Sequence, residues 1–537
     1  MVWAADRPAG RARAGRSAVW ARNGMVATSQ PLAVQAGLRI LQQGGNAVDA
    51  AVATAAVLNV VEPMSTGIGG DMFALVWMSK TGDLKGLNGS GFSPQAATPE
   101  FFLKRGMSSI PMYGPFSVSV PGTVDGWVTL LNKYGSMKLE RVLAPAIEYA
   151  EQGFPVSEII AAYWAGDGRA AAERDPEFAK AYFTNGRPPA HGEVFVNKPL
   201  ASTLRKIAAG GRDGFYKGEV AEKMVKRLNQ LGWPLTMADL AWQHSDWVEP
   251  ISTTYKGRRI YELPPNGQGM AALEMLNILE GFDLKSLGHN TSRYLHLLIE
   301  AKKLAFADLD RWLSDPAKTR IPVDTIISKD YGVRQRSRIS PYRAAEPVAT
   351  GVPSSGDTVY LTVVDKDRNT VSFINSIFQN FGSSLVVPDT GIVLHDRGAL
   401  FTLQEGHPNR LEGRKRPYHT IIPAMMFQDN KPVLSFGVMG GDMQPQGHVQ
   451  VLLNMIEFGM NVQDAGEAPR FRHSPVTGVA LESGVDATTI RELAALGHQI
   501  ISLPGIFGGY QAIQIDWKNG VLAGGTDPRK DGCAAGW

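Results

Sequence analysis

Residues 352–378 pass from a loop-forming approach into two strands, and a threonine stands at the join. Val352-Pro353-Ser354-Ser355-Gly356 carries turn-forming residues and little to pack, whereas Thr358-Val359-Tyr360-Leu361-Thr362-Val363-Val364 is a β-branched and aromatic run. The polar turn Lys366-Asp367-Arg368-Asn369 then leads into Thr370-Val371-Ser372-Phe373-Ile374-Asn375-Ser376-Ile377. Two strands closing as a hairpin are predicted, with Thr358 at the head of the first. On these residues alone, an ordinary hairpin with an undistinguished first residue is the simplest reading.

Composition narrows the chemistry. The single cysteine, Cys533, excludes an intramolecular disulfide, a CxxC redox pair and a Cys-rich metal site, so covalent catalysis would fall to Ser, Thr, Lys or a carboxylate. No HExxH, GxSxG or P-loop pattern occurs, and the histidines lack ligand spacing, so neither a metal nor a cofactor is expected. Hydrophobic residues at 44% and charged residues at 20% describe an ordinary globular chain. The net charge of +3 comes from scattered basic residues, which argues against nucleic acid and membrane as partners while leaving an acidic small molecule open.

The 537 residues exceed a typical domain but suit one large layered α/β unit. The most apolar stretch, Ala47 to Val61, is interrupted by Asp49 and Asn59 and is too short to span a bilayer. Arg7, Arg11, Arg13, Arg16 and Arg22 among Ala and Gly, without a continuous apolar segment, read as a flexible arm over residues 1–24. A cytoplasmic protein is expected, with a twin-arginine or transit signal left open.

Taken in order, Pro31 to Gln43 and Ala47 to Val61 read as two packed helices separated by Gly44-Gly45-Asn46. Gly67-Ile68-Gly69-Gly70-Asp71 then runs into an apolar strand, Met72 to Met78. The order helix, glycines, strand is the reverse of a dinucleotide loop. Asn88-Gly89-Ser90-Gly91 is a small-residue loop, and Ser117 to Val120 reads as a strand that turns through Pro121-Gly122 into a helix. Such loops suit either a pocket wall or a plain connection. Leu139 to Leu231 looks mainly helical, and Tyr294 to Leu313 is a long amphipathic helix whose His296 reads as a satisfied interior histidine. Val433 to Met439 reads as a strand ending in Gly440-Gly441-Asp442, with a helix from about His448 to Phe458. Glycine N–H groups ahead of a helix suit a developing oxyanion or, equally, a structural turn. Short strands are expected at Ala512 to Trp517 and Gly520 to Gly524.

The combination resembles the γ-glutamyltransferase family of N-terminal nucleophile hydrolases. The matches run from about Gly24 to the end, through Gly44-Gly45-Asn46-Ala47-Val48-Asp49-Ala50, Gly67-Ile68-Gly69-Gly70-Asp71, Val120-Pro121-Gly122, Ser328-Lys329-Asp330-Tyr331, Gly356-Asp357-Thr358, Ala468-Pro469-Arg470-Phe471 and Thr526-Asp527-Pro528-Arg529. The resemblance implies a four-layer αββα sandwich made by a precursor that cuts itself between Asp357 and Thr358. The large subunit would span residues 25–357 and the small subunit 358–537, interlocked as a heterodimer, with further dimerisation left open. Thr358 would be both nucleophile and, through its freed α-amine, general base, since an α-amine of pKa about 7.7 to 8.0 is substantially neutral near physiological pH. Gly440 and Gly441 would form the oxyanion hole, and Ser376, a shorter replacement for Thr, would contact the nucleophile's amine.

The resemblance breaks down in the substrate pocket. Ser90 stands where glutathione-cleaving members carry an arginine for the substrate α-carboxylate, and Phe378, Arg397 and Leu400 replace polar or acidic residues that receive the α-amino and carboxylate groups. His419 and Thr420, after Tyr418, occupy the family's paired serine positions. An α-ammonium requires an acceptor, which Leu400 does not supply. Arg397 and His419 are open to two readings: receiving a substrate carboxylate, or pairing with nearby acids or backbone. The segment from Phe401 to Lys415 is shorter than the family's lid-bearing region, implying a more open site. The expectation is an autoprocessing amidohydrolase of small γ-glutamyl-type or related acyl amides, favouring hydrolysis over transpeptidation. Alternatives are a glutaryl (cephalosporin-type) or oxamate-like amide hydrolase and, in another class, an inactive proenzyme-like scaffold.

Overall fold

The computed structural model describes residues 15–346, 357–502, 505 and 507–537. Two seven-stranded sheets, each paired antiparallel throughout, lie face to face. In the first the strand order is Cys533–Gly536, Met25–Thr28, Asp357–Val364, Thr370–Phe378, Asp71–Met78, Asp83–Gly89, Asp246–Val248. In the second it is Val19–Ala21, Val521–Thr526, Tyr510–Asp516, Lys431–Val438, Ala424–Gln428, Arg258–Glu262, Ile251–Tyr255. The hairpin therefore sits mid-sheet, with both strands paired on both sides.

Side-chain alternation along the hairpin divides the core. Val359, Leu361 and Val363 join the cluster shared with helices Pro31–Gln42 and Ala47–Val61, while Tyr360 and Val364 fall in two clusters between the sheets. A fourth cluster joins the second sheet to helices Gly269–Leu279, Ser292–Trp312 and Met443–Ile456. Helix, sheet, sheet and helix thus make the expected four-layer sandwich. Every residue of Ala47–Val61 is buried, which suits an Ala-rich helix with no polar face, and Asn46 and Asp49 close its start as a reciprocal capping box.

Several boundaries differ from expectation. Residues 1–14 lie outside the described region, but the rest of the expected arm is structured: Val19–Ala21 pairs with Ala523 and its neighbours, and the Arg16 guanidinium donates to Thr526 and to the Gly532 carbonyl. No strand forms over Ser117 to Val120. Pro115–Ser117 is a 3-10 turn, and Pro121 follows the extended piece, whose Val120 N–H donates to the Phe92 carbonyl. The helix expected from His448 starts at Met443, because a proline in the first turn, Pro445, is tolerated where its missing N–H would have no partner. The tail strands are Tyr510–Asp516 and Val521–Thr526.

The small-residue loops owe their composition to close approach. A Cβ on Gly91 would lie 1.7 Å from the Val120 carbonyl oxygen, and one on Gly122 would lie 2.0 Å from that of Gly89. Both glycine N–H groups donate to the same oxygen of Asp71, at 3.1 Å each, so the two loops interlock over one carboxylate. Gly91→Ala is expected to cost about 3 kcal/mol, the upper range for overpacking a rigid site. A thermal unfolding midpoint several degrees below wild type would show it, and an unchanged midpoint would refute the interlock.

Candidate active site

Thr358, Tyr360 and Thr362 share the face of their strand that looks toward the second sheet. There the Thr362 hydroxyl donates to Ser435 Oγ at 2.6 Å, and a Cβ on Gly437 would lie 2.4 Å from the Tyr360 ring. Stepping two residues at a time in opposite senses along these facing strands brings Thr358 opposite Met439, immediately before Gly440-Gly441. Both glycines have left-handed φ, 108° and 58°, and their carbonyls accept the first N–H bonds of helix Met443–Ile456, from Met443 at 3.0 Å and Gln444 at 3.2 Å. By this alternation the head of the Thr358 strand points toward the end of the facing strand that leads into the glycine turn.

Thr358 is buried, and its hydroxyl donates to Ser376 Oγ at 3.1 Å. The register of the hairpin shifts between Asp357 and Val359, which places Thr358 beside Ser376. Ser376 Oγ also accepts from the Phe378 N–H at 2.9 Å and from Arg397 Nη2 at 2.7 Å. Arg397 Nη1 donates to Thr420 Oγ1 at 2.7 Å, and the guanidinium stacks on the Phe378 ring at 4.6 Å. Behind Ser376 the Gly69-Gly70 loop lies so close that a Cβ on Gly70 would be 2.4 Å from the Ser376 carbonyl oxygen.

His419 turns away from this chain of hydroxyls. Its Nε2–H donates to Asp71 Oδ2 at 3.1 Å, and burial followed by the Arg397 charge pushes its pKa down to about 3, so it is a neutral partner of Asp71. Of the two readings left open for His419, pairing with a nearby acid is the observed one. His395 approaches the same carboxylate at 3.7 Å while its Nε2–H donates to the Ser119 carbonyl, and burial keeps it neutral as well. Burial alone would raise the Asp71 carboxyl. His395, His419 and Arg397 outweigh that and hold it below the usual carboxylate range.

Ser90 is buried, its Oγ accepting from Asn266 Nδ2 at 3.2 Å and its carbonyl from Arg416 Nε at 3.1 Å. Tyr418 donates to Gln268 Oε1 at 2.9 Å and to Asp442 Oδ1 at 3.2 Å, and burial with the Asp442 charge raises its pKa well above normal. A cavity of about 400 Å³ opens beside Tyr418 and Asp442, walled by Phe306, Leu309, Leu400 and Phe401.

Three residues that shape the site carried no role in the sequence. Gln268 Nε2 bridges the carbonyls of Thr420, at 2.6 Å, and Gly441, at 3.0 Å, bracing the glycine turn from outside. Asn266 joins Ser90 to the Pro417 carbonyl, and Asp71 gathers two loops and two histidines. The available signal was their placement in glycine loops, Asn266-Gly267-Gln268-Gly269 and Gly69-Gly70-Asp71. His296 is satisfied as expected: one ring nitrogen meets His498 at 2.8 Å and the other the Ser340 carbonyl at 2.7 Å. Among the described residues no helix is long and apolar enough to cross a membrane.

A family model described as gamma-glutamyltranspeptidase matches residues 33–537. The glutathione hydrolase-like YwrD proenzyme of Bacillus subtilis is 40% identical over 522 residues, covering 95% of this chain and 98% of that protein. The oxamate amidohydrolase proenzyme of Klebsiella pneumoniae is 34% identical over 534 residues, covering 96% and 98%. The crystal structure of cephalosporin acylase from Bacillus halodurans superimposes with a TM-score of 0.92 at 44% identity, over 100% of this chain and 99% of that one. The fold, the ordered motifs and these relatives agree: the chain belongs to the γ-glutamyltranspeptidase family and is an amidohydrolase of the N-terminal nucleophile class.

Proposed function

We propose that the chain cuts itself between Asp357 and Thr358 into subunits 25–357 and 358–537, and that mature Thr358 hydrolyses small acyl amides that lack a free γ-glutamyl α-amino acid end. The observation that carries this reading is the buried Thr358 hydroxyl, at the head of a central strand and hydrogen-bonded to Ser376.

In the precursor, Thr358 Oγ1 attacks the Asp357 carbonyl carbon, the C–N bond breaks, and its nitrogen leaves as the α-amine. Water then hydrolyses the resulting ester. In turnover that amine takes the proton from Oγ1 as the oxygen attacks the substrate amide. The tetrahedral oxyanion is held by the Gly440 and Gly441 N–H groups, each donor of this kind being worth roughly 2.7 to 4 kcal/mol. The proton passes to the departing amine, and an ester remains on Thr358. A water activated by the same α-amine releases the acid.

The family's anchors for a free α-amino acid are missing. Ser90 is held by Asn266, and Leu400 is part of the cavity wall. The carboxylate on that wall nearest the glycines, Asp442, accepts from Tyr418 and is offset by the charges of Lys302 and Arg472. This arrangement supports an acyl chain with apolar bulk and no α-ammonium. Mature protein is expected to hydrolyse glutaryl-p-nitroanilide at least as fast as γ-glutamyl-p-nitroanilide, with little gain on adding an acceptor dipeptide. A strong preference for the γ-glutamyl compound would overturn the substrate reading.

A further inference from the structure

We propose that Arg397 is a positioning residue for the base: acting through Ser376, it holds the α-amine of mature Thr358 in its neutral, proton-accepting form. The inference rests on Thr358 being the amino-terminal nucleophile and gives a role to a cation which that reading does not use.

Arg397 is fully buried, yet its partners are two hydroxyls, those of Ser376 and Thr420, and the Phe378 ring; among the described residues it forms no ion pair. A guanidinium buried without a directly bonded carboxylate is costly, and stability alone gives no reason to keep one. Burial lowers its pKa, but only to about 10, so it stays charged at neutral pH. Its hydrogen bond to Ser376, of 2.7 Å, and that of Thr358 to Ser376, of 3.1 Å, put the guanidinium within about 6 Å of the nucleophilic oxygen.

The charge then acts on the amine that cleavage creates. A fixed positive charge at this range disfavours a second one.

The surrounding groups set the sign. His395 and His419 are neutral, burial raises Asp396 to about 8, and Tyr418 keeps its proton, so Asp71 and Asp442 are the nearby anions. Asp71 is met by His419 and by the N–H groups of Gly91 and Gly122. Removing the Arg397 charge takes away a fixed repulsion while Asp71 and Asp442 keep their other partners, so the amine pKa rises. With an effective dielectric of about 40, the shift from a charge about 6 Å away is about one pH unit.

The α-amine can be titrated directly, without a substrate, by competitive acetylation of the mature protein across neutral pH, read from the mass of the peptide that begins at Thr358. Wild type is expected to titrate about one unit below the 7.7 to 8.0 of a free α-amine. R397K should keep that value, R397Q should move it up by about one unit, and the acid limb of kcat/KM should follow. An R397Q value equal to wild type overturns the proposal, as does a wild-type value at or above the free-amine range. If R397Q fails to mature, the wild-type value alone decides. Wild type left uncut before Thr358 overturns the nucleophile reading itself, and the proposal with it.

Discussion

Thr358→Ala is expected to remain a single uncut chain and to lose at least about four orders of magnitude in amide hydrolysis, the scale at which removing a covalent nucleophile acts. One hydroxyl is asked to do two jobs, attacking the Asp357 carbonyl once and then substrate carbonyls repeatedly, so its loss ends both. Misfolding would not explain the result. Thr358 lies buried on a strand whose hydrogen bonds are made by the backbone, and alanine fits within the space threonine leaves. Thr358→Ser supplies the internal control. It keeps the hydroxyl and the future amine and gives up one methyl, so it should still mature, more slowly, and recover measurable activity. Denaturing electrophoresis with intact mass reads the first effect and p-nitroaniline release the second. Two fragments meeting before position 358 in the alanine variant would show that another group makes the cut.

How much of this was legible before the structure depended on whether a signal was local. The hairpin was legible because its alternation and turn lie within some twenty contiguous residues, and both strands appear within a residue or two of expectation. Helix Ala47–Val61 was legible for the same reason. The layers were not, since period-two alternation shows that a strand has two faces without saying what covers each; that came with the family resemblance. The start of helix Met443–Ile456 was missed because its opening residues include Pro445 and Gly447, the weakest helix formers, yet the Gly440 carbonyl is positioned to open it. Thr358 and Ser376, both named from the family resemblance, are hydrogen-bonded to each other, and Gly440 and Gly441 form the turn that opens helix Met443–Ile456. The pocket residues were harder, because burial and pairing decide them. Ser90, which stands where relatives carry an arginine, is tied to Asn266, and His419, open to two readings in the sequence, pairs with Asp71. Asp71 sat at the end of a quoted glycine motif, but its role comes from partners some twenty to three hundred and fifty residues away.

Gly440→Ala should lower kcat by about 10² to 10³, equivalent to roughly 2.7 to 4 kcal/mol, while leaving KM close to wild type. The reason lies in the backbone. Gly440 has φ of 108°, a conformation that a residue with a side chain rarely adopts, and its Cβ would lie 3.2 Å from both the Gly508 Cα and the Met443 Cβ. Alanine therefore has to turn the peptide, and the Gly440 and Gly441 N–H groups turn with it. Their place opposite Thr358 matters most when charge develops on oxygen, which is why the loss should fall on kcat and not on substrate binding. The same oxyanion forms when Thr358 attacks Asp357, so maturation should slow in parallel; the two rates falling together would mark a shared oxyanion site. Gly459→Ala separates this from plain backbone strain. Gly459 also has positive φ, 66°, but no atom within 4 Å of the added methyl, so it carries a conformational cost of about 1 kcal/mol with no reason for kcat to change. If Gly440→Ala matures and turns over at the wild-type rate, the oxyanion must be stabilised by groups other than this glycine pair.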